Sequence, residues 1–248
     1  MNAACIVKAH RAGLGSLLNA VITCMELYNP VAVDWRGTLY SDEDIWPMLF
    51  QPTPPLEGPY DIITGYPSQW LTYKAAGYLY QMEDVAWREK CHRLWQRIKP
   101  LPRVTAFVNW FVEEHFAKRP VVAVLVRAHP SAGEQLTNRI QTLDEYATAI
   151  EAELRGSDRR QVYIASSDEQ SLSWFRDRFN VRHHPGTRRA ETRDVDRHLA
   201  VKQNEIDALN VLQEVLIMAR TDVLIHPVSN LATACLYINP SLRSVYLP

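Results

Sequence analysis

Little in this chain draws it toward a charged surface. Its 27 lysines and arginines are matched by 28 aspartates and glutamates, for a net charge of −1. No global field attracts a nucleic-acid backbone or an anionic membrane, so a phosphate ligand would have to be met by a local cluster. Cysteine is scarce. Cys5, Cys24, Cys91 and Cys235 have no short spacing between any two, which excludes a disulfide framework and a cysteine zinc site and predicts buried free thiols in a reducing compartment. No apolar run approaches the roughly 20 residues that span a bilayer. Lys8 and His10 stand where a signal peptide would be apolar. The expectation is a cytoplasmic protein with no membrane span and no nucleic-acid partner. Glycine is sparse at 9 residues, and the Gly13-Leu-Gly15 turn lacks both the third glycine of the dinucleotide motif and the lysine of a P-loop. His183 and His184 are adjacent, so they do not easily face one ion from a strand or helix, and no other spacing implies a metal.

What is present is a globular composition, 47% hydrophobic and 22% charged, laid out in a pattern that occurs twice. Residues 3–9 form a short apolar strand that breaks at the Gly13-Leu-Gly15 turn. Leu14, Leu17, Leu18, Val21 and Ile22 then share a helical face, and Asn29-Pro30 stops that helix. Residues 31–35 form a second strand. Strand, turn, helix, strand predicts a βαβ unit with parallel strands. A proline-rich excursion over 40–60, a strand at 61–64 and helices over 83–98 and 103–117 complete the first series. The second opens with the strongest strand signal, residues 120–126. It continues through a helix at 143–154, a strand at 161–165, a helix ending at 179, a basic unpatterned stretch at 182–198, a helix at 204–219, a strand at 222–226 and a last apolar helix. Two such series predict an α/β fold of two Rossmann-like lobes, residues 1–118 and 119–248, facing across a cleft.

In open α/β sheets ligands lie outside the carboxyl ends of the strands. The candidate residues are therefore those directly after each strand: Arg127, His129, Ser166, Ser167, Asp168, His226, Ser229 and Asn230. Those of the second lobe suit a nucleoside diphosphate. Arginine meets phosphate with a planar fork of donors that stays charged. A carboxylate suits ribose hydroxyls or purine N–H groups, and serine at a helix start holds a phosphate oxygen. Asp168 also fits an N-cap for the helix that follows it. Gly13 and Gly15 fit either a phosphate-binding turn or a tight strand-to-helix turn. Among Glu26, Asp34 and the acids at 42–44, Asp34 is the best placed general base, and it fits equally as a partner for Arg36. The basic stretch is either a solvated face or a loop closing on an anion.

Several segments, in chain order, are similar to those of one family. Gly13-Leu-Gly15 with residues 17–20 looks like its opening turn and helix. The most specific match is Val-Asp-Trp-Arg-Gly-Thr-Leu-Tyr at 33–40. Residues 114–127, ending in Arg127, resemble the segment leading to a His-x-Arg motif, and 162–168 resemble a strand followed by an acidic turn. Residues 208–239, with Val228-Ser-Asn230, resemble a last helix, strand and serine-containing turn. The chain thus resembles the nodulation-type (NodZ-like) fucosyltransferases and, more distantly, the α1,6- and protein O-fucosyltransferases. That resemblance implies a GT-B fold, a GDP-fucose or other GDP-sugar donor held mainly by the C-terminal lobe, a glycan or other hydroxyl acceptor, inversion, and no obligatory metal or cofactor. It implies that Arg127 contacts the diphosphate and stabilises the leaving GDP, that Asp168 holds guanosine, and that Ser229 binds phosphate, with Ser167 and Asn230 beside them. The chain departs from the pattern at Leu125, where the motif carries histidine, at Ala128, where a second arginine is frequent, and at Ser167, where an acid is found. Two readings stay open: a GDP-fucose-dependent transferase, and a non-catalytic GDP-sugar- or glycan-binding protein that keeps the fold.

Overall fold

The computed structural model describes residues 4–9, 13–53, 55–65, 83–116, 120–127, 140–155, 161–193 and 203–248. Strand β1 (Ala4–Lys8), helix α1 (Leu14–Leu27) and strand β2 (Val31–Asp34) form the expected βαβ unit, with β1 and β2 parallel and Cys5 opposite Val31. β3 (Tyr60–Thr64) lies parallel on the other side of β1, giving a first sheet of order β2-β1-β3. The proline-rich excursion holds a one-turn helix, α2 (Trp46–Leu49). There Trp46 stacks on Phe50 with ring centroids 4.3 Å apart and meets Trp35 edge-on at 5.0 Å. Burial of these large rings is what holds an otherwise irregular segment in place. Helices α3 (Val85–Trp95) and α4 (Pro102–His115) follow.

The second sheet comprises β4 (Val121–Val126), β5 (Gln161–Ser166), β6 (Asn180–Arg182), β7 (Val223–His226) and β8 (Arg243–Tyr246), in the order β6-β5-β4-β7-β8 with every pair parallel. β4 and β5 are buried at every residue, because helices cover both faces and leave no solvent side to alternate toward. Helices α5 (Leu143–Glu153) and α6 (Glu169–Arg176) pack on one face. Helices α7 (Glu205–Met218) and α8 (Asn230–Ile238) pack on the other. Capping boxes start α5 at Thr142 and Glu145 and α7 at Asn204 and Asp207, each satisfying two otherwise orphaned N–H groups. Two strands had no clear sequence signal. β6 falls partly inside the basic stretch and β8 is a short edge strand; both are three to four residues long.

Among the described residues no strand pair joins the two sheets. Helices do: α1 and α3 pack on α8, and α4 packs on α7. One continuous apolar core therefore runs from the first sheet through these helices to one face of the second. Trp87 Nε1 donates to Tyr237 Oη at 2.9 Å and Ser41 Oγ to Glu205 Oε1 at 2.9 Å, tying the halves together at two further points. The chain crossing expected near 118–120 falls largely on residues outside the described ones. All four cysteines are buried free thiols. No described helix is long and apolar enough to cross a membrane.

Candidate functional site

The carboxyl edge of the second sheet gathers most of the candidates. β4 and β5 are in register there, Val126 opposite Ser166, so Arg127 and Ser167 leave neighbouring strands side by side. The Arg127 side chain reaches across to the end of β7, where Nη1 donates to the Val228 carbonyl at 3.0 Å. Its backbone N–H donates to Tyr146 Oη at 3.3 Å. Burial pushes Tyr146 up to about 12, although the Arg127 N–H and the charges of Arg193 and Arg127 pull the other way, so this hydroxyl stays neutral and able to accept. The guanidinium is thereby held one residue from Ser229, which caps α8: its Oγ accepts from the Leu231 N–H at 3.2 Å and its carbonyl accepts from Thr233. A fixed guanidinium beside a helix N-terminus is a favourable place for anionic oxygen.

Helix α1, which packs on the first sheet, arrives at the same place. Asn19, fully buried in α1, donates through Nδ2 to the Asn230 carbonyl at 3.0 Å. A methyl group on Gly15 would lie 2.7 Å from the Leu231 nitrogen and 2.8 Å from the Asn230 carbonyl carbon, so only glycine lets the first turns of α1 and α8 touch. Gly13 is different. It is the N-cap residue of α1 in an extended conformation, and the closest atom to an added Cβ would be Tyr40 Oη at 4.0 Å. That hydroxyl accepts the Leu14 N–H at 3.2 Å, taking the place of a side-chain cap. Gly15, Arg127, Ser229 and Asn230, scattered over more than 200 positions, therefore converge on one junction.

Asp168 sits differently. It is fully buried as the N-cap of α6, with Oδ1 accepting from the Ser171 N–H at 2.7 Å and Oδ2 from Ser166 Oγ at 3.1 Å. The strand-like segment at Ala190 closes over the turn, its N–H donating to the Ser167 carbonyl at 2.9 Å and its carbonyl accepting from Glu169 at 2.8 Å. Asp168 thus caps α6 and shapes the turn, the structural role the sequence also allowed for it.

Most of the basic stretch is spent within the protein. Arg188 pairs with Asp207, Nε donating to Oδ1 at 2.9 Å. Arg189 and Glu214, both buried, lie 3.8 Å apart. His184 Nε2 donates to Gln213 Oε1 at 2.9 Å while Nδ1 accepts the Gly186 N–H at 3.1 Å, and burial lowers this imidazole to about 4. Among the described residues of the stretch Arg193 approaches the site: Nη2 donates to the Gln141 carbonyl at 2.6 Å and reaches the Arg127 carbonyl at 3.5 Å. His129, Ala128, Arg197 and His198 lie outside the described residues. His226, at the end of β7, is lowered to about 4 by burial and is a neutral ring held between the Pro227 carbonyl (2.9 Å) and Ser244 Oγ (2.8 Å).

Asp34 ends β2 in a two-point ion pair with Arg36, Oδ1 accepting from Nε at 2.8 Å and Oδ2 from Nη2 at 2.7 Å. The hydrogen-bonded Arg36 guanidinium holds its carboxyl below the usual range, against the opposing effect of partial burial. The carboxylate expected to act as base is therefore a bound and weakened one. Sequence reasoning missed Tyr146, Asn19 and Tyr40. The one available signal was Asn19, a polar residue inside the apolar stretch of α1. Among the described residues no three His, Cys, Asp or Glu side chains group as metal ligands.

No protein-family model matches the chain, and no curated protein matches it by sequence. Its structure is similar to NodZ alpha-1,6-fucosyltransferase co-crystallized with GDP, at 17% identity and a TM-score of 0.62, covering 97% of this chain and 94% of that one. The same protein soaked with GDP-fucose gives 17% and 0.61, covering 95% and 92%. An Arabidopsis thaliana FUT1 mutant in complex with GDP gives 12% and 0.60, covering 99% of this chain and 71% of that one. The chain has the mixed α/β, NodZ-like fucosyltransferase fold that the sequence resemblance implied.

Proposed function

We propose that this chain is a glycosyltransferase that takes fucose from GDP-fucose, or the sugar from another GDP-sugar, and transfers it with inversion to a glycan or other hydroxyl acceptor, without a metal. Residues 119–248 hold the donor and residues 1–118 face the acceptor. The observation that carries this reading is the tethering of Arg127 to Val228, one residue from the helix cap at Ser229. As the sugar–phosphate bond breaks, negative charge develops on the departing diphosphate. A guanidinium and helix N–H groups already fixed there stabilise that charge with no reorganisation. Ser167, Asn230 and the α1 turn at Gly13 and Gly15 line the same edge. In this reading Asp168 is a positioning residue for the Ser167 turn, and Asp34 takes the acceptor proton once its pair with Arg36 opens. The complexes of similar structures with GDP and GDP-fucose support the choice of donor.

A second reading, a GDP-sugar-binding protein without turnover, draws on Leu125 and Asp34. Leu125 occupies the motif's histidine position and is packed into the core, and Asp34 is locked by Arg36. Thermal melts with a panel of nucleoside diphosphates and nucleotide sugars test the proposal. A ligand at 100 times its Kd adds about 2.7 kcal/mol of stability, so GDP and GDP-fucose should raise the melting temperature while UDP and UDP-sugars should not. GDP-fucose stabilisation without release of fucose over a range of acceptors would favour the second reading.

A further inference from the structure

Arg88 is a buried arginine whose surroundings among the described residues do not account for it. It lies on α3, the helix that packs on both α1 and α8, and it is 8% exposed. Its backbone N–H serves the helix, donating to the Asp84 carbonyl at 3.0 Å. Its side chain makes no hydrogen bond and no ion pair among the described residues, and Nε is completely buried without a partner. Nearby residues on α3 are engaged elsewhere: Trp87 with Tyr237, Lys90 with Glu26, His92 with the Tyr237 carbonyl at 3.2 Å. The charges and hydroxyls that face Arg88 are Glu83 from its own segment, which acts at a distance without pairing, and Tyr237 from α8. Arg88's own charge is felt at His226, at the end of β7. His226 is a neutral ring committed to Pro227 and Ser244, and Tyr237 Oη already accepts from Trp87, so neither neutralises the guanidinium.

Leaving a buried guanidinium nitrogen without a partner is costly, and buried polar groups in folded proteins almost always have one. A planar fork of donors with no carboxylate to meet it has the geometry for an oxyanion. We propose that Arg88 is an anion-binding residue whose missing partner is a phosphate group, so that α3 supplies a second guanidinium, from the first lobe, beside α8 and the end of β7. The phosphate comes either from the diphosphate of a nucleotide sugar or from a separate phosphate-bearing molecule. The inference stands on Arg88's burial and its lack of partners among the described residues, independently of the donor reading above.

The test uses the full chain and its Arg88→Met (R88M) variant, with inorganic phosphate, pyrophosphate and GDP as probes. A structural arginine and an anion-binding one respond oppositely. Without anions, R88M is expected to melt at a higher temperature than the natural chain, because an uncompensated buried charge has been removed. Adding phosphate or pyrophosphate should raise the melting temperature of the natural chain, and calorimetry should find the affinity roughly 10- to 100-fold weaker in R88M, as expected for hydrogen bonds to a charged group. Arg88→Lys (R88K) keeps the charge without the fork and should fall between the two. If R88M also weakens GDP, and saturating GDP abolishes the phosphate effect, the phosphate is the donor's. If GDP binds both proteins equally while the phosphate effect is lost, the anion belongs to another molecule. A natural chain that responds to none of the three probes, equal responses in the natural chain and R88M, or a lower anion-free melting temperature for both R88M and R88K would overturn the inference. Silence toward GDP alone counts against the donor reading and leaves the phosphate arm to decide this one.

Discussion

Gly15 of α1 and Leu231 of α8 meet so closely that a single methyl group on the glycine would lie 2.7 Å from the Leu231 nitrogen. This contact, with the hydrogen bond from Asn19 to the Asn230 carbonyl, brings the first turns of two helices from different halves together beside Arg127. The site is in this sense a property of the junction and not of either sheet alone.

Replacing Gly15 by alanine tests that contact. In an ordinary helix the change would add up to about 1 kcal/mol of stability. Here the new methyl meets backbone atoms that cannot rotate away, so Gly15→Ala is expected to lower stability in chemical denaturation by about 1–3 kcal/mol and to weaken GDP binding with it.

The caps give a second test. Asp168→Ala removes the acceptor for the Ser171 N–H and one of the partners of the buried Ser166 hydroxyl, with an expected loss of about 1–3 kcal/mol. Asp168→Asn keeps an acceptor and should retain most of the stability. Selectivity for GDP over other nucleoside diphosphates should be kept in Asp168→Asn; its loss there without a change in stability would assign Asp168 a direct guanosine contact.

Acid should unfold the protein well before its carboxylates are protonated. His184 and His226 are buried as neutral rings, each lowered from 6.5 to about 4. The unfolded chain takes up these protons at higher pH than the folded one. The stabilisation is therefore fully present above about pH 6.5 and is lost as pH falls toward 4, at about 1.4 kcal/mol per pH unit for each histidine. Denaturation curves between pH 7.5 and 4.5 should show this slope, reduced by half in His184→Gln. A flat profile over that range would contradict the neutral assignments.

The elements with a strong internal pattern were legible. The all-apolar run at β4 and the spacing of Leu14, Leu17 and Leu18 in α1 fix a buried strand and a helix without help from distant residues. β6 and β8 were not, because strands of three and four residues on a sheet edge are held by their neighbours' hydrogen bonds and carry almost no periodicity of their own. The strand-end rule named Arg127, Ser229 and Asn230, and the fold places Arg127 against the turn before α8. It could not tell that Asp168 faces inward to cap α6, or that Arg36 engages Asp34, since both outcomes depend on side-chain direction after a turn. Gly15 was read as part of a turn, and its closeness to Leu231, more than 200 residues away, left no trace in the local sequence. The basic stretch read equally as a solvated face or a loop closing on an anion, and the partners that engage Arg188 and Arg189, Asp207 and Glu214, lie on α7, further along the chain.

The central claim is that Arg127 meets the donor's diphosphate, and titration calorimetry of GDP into the natural chain and Arg127→Ala tests it most directly. Arg127 is half-buried and its side chain donates to the Val228 carbonyl at the edge of the sheet, so the variant should fold. The account predicts GDP binding roughly 10- to 100-fold weaker in Arg127→Ala, with guanosine binding unchanged and GDP-fucose turnover down by about 10²-fold or more. Equal GDP affinity in the two proteins would contradict it.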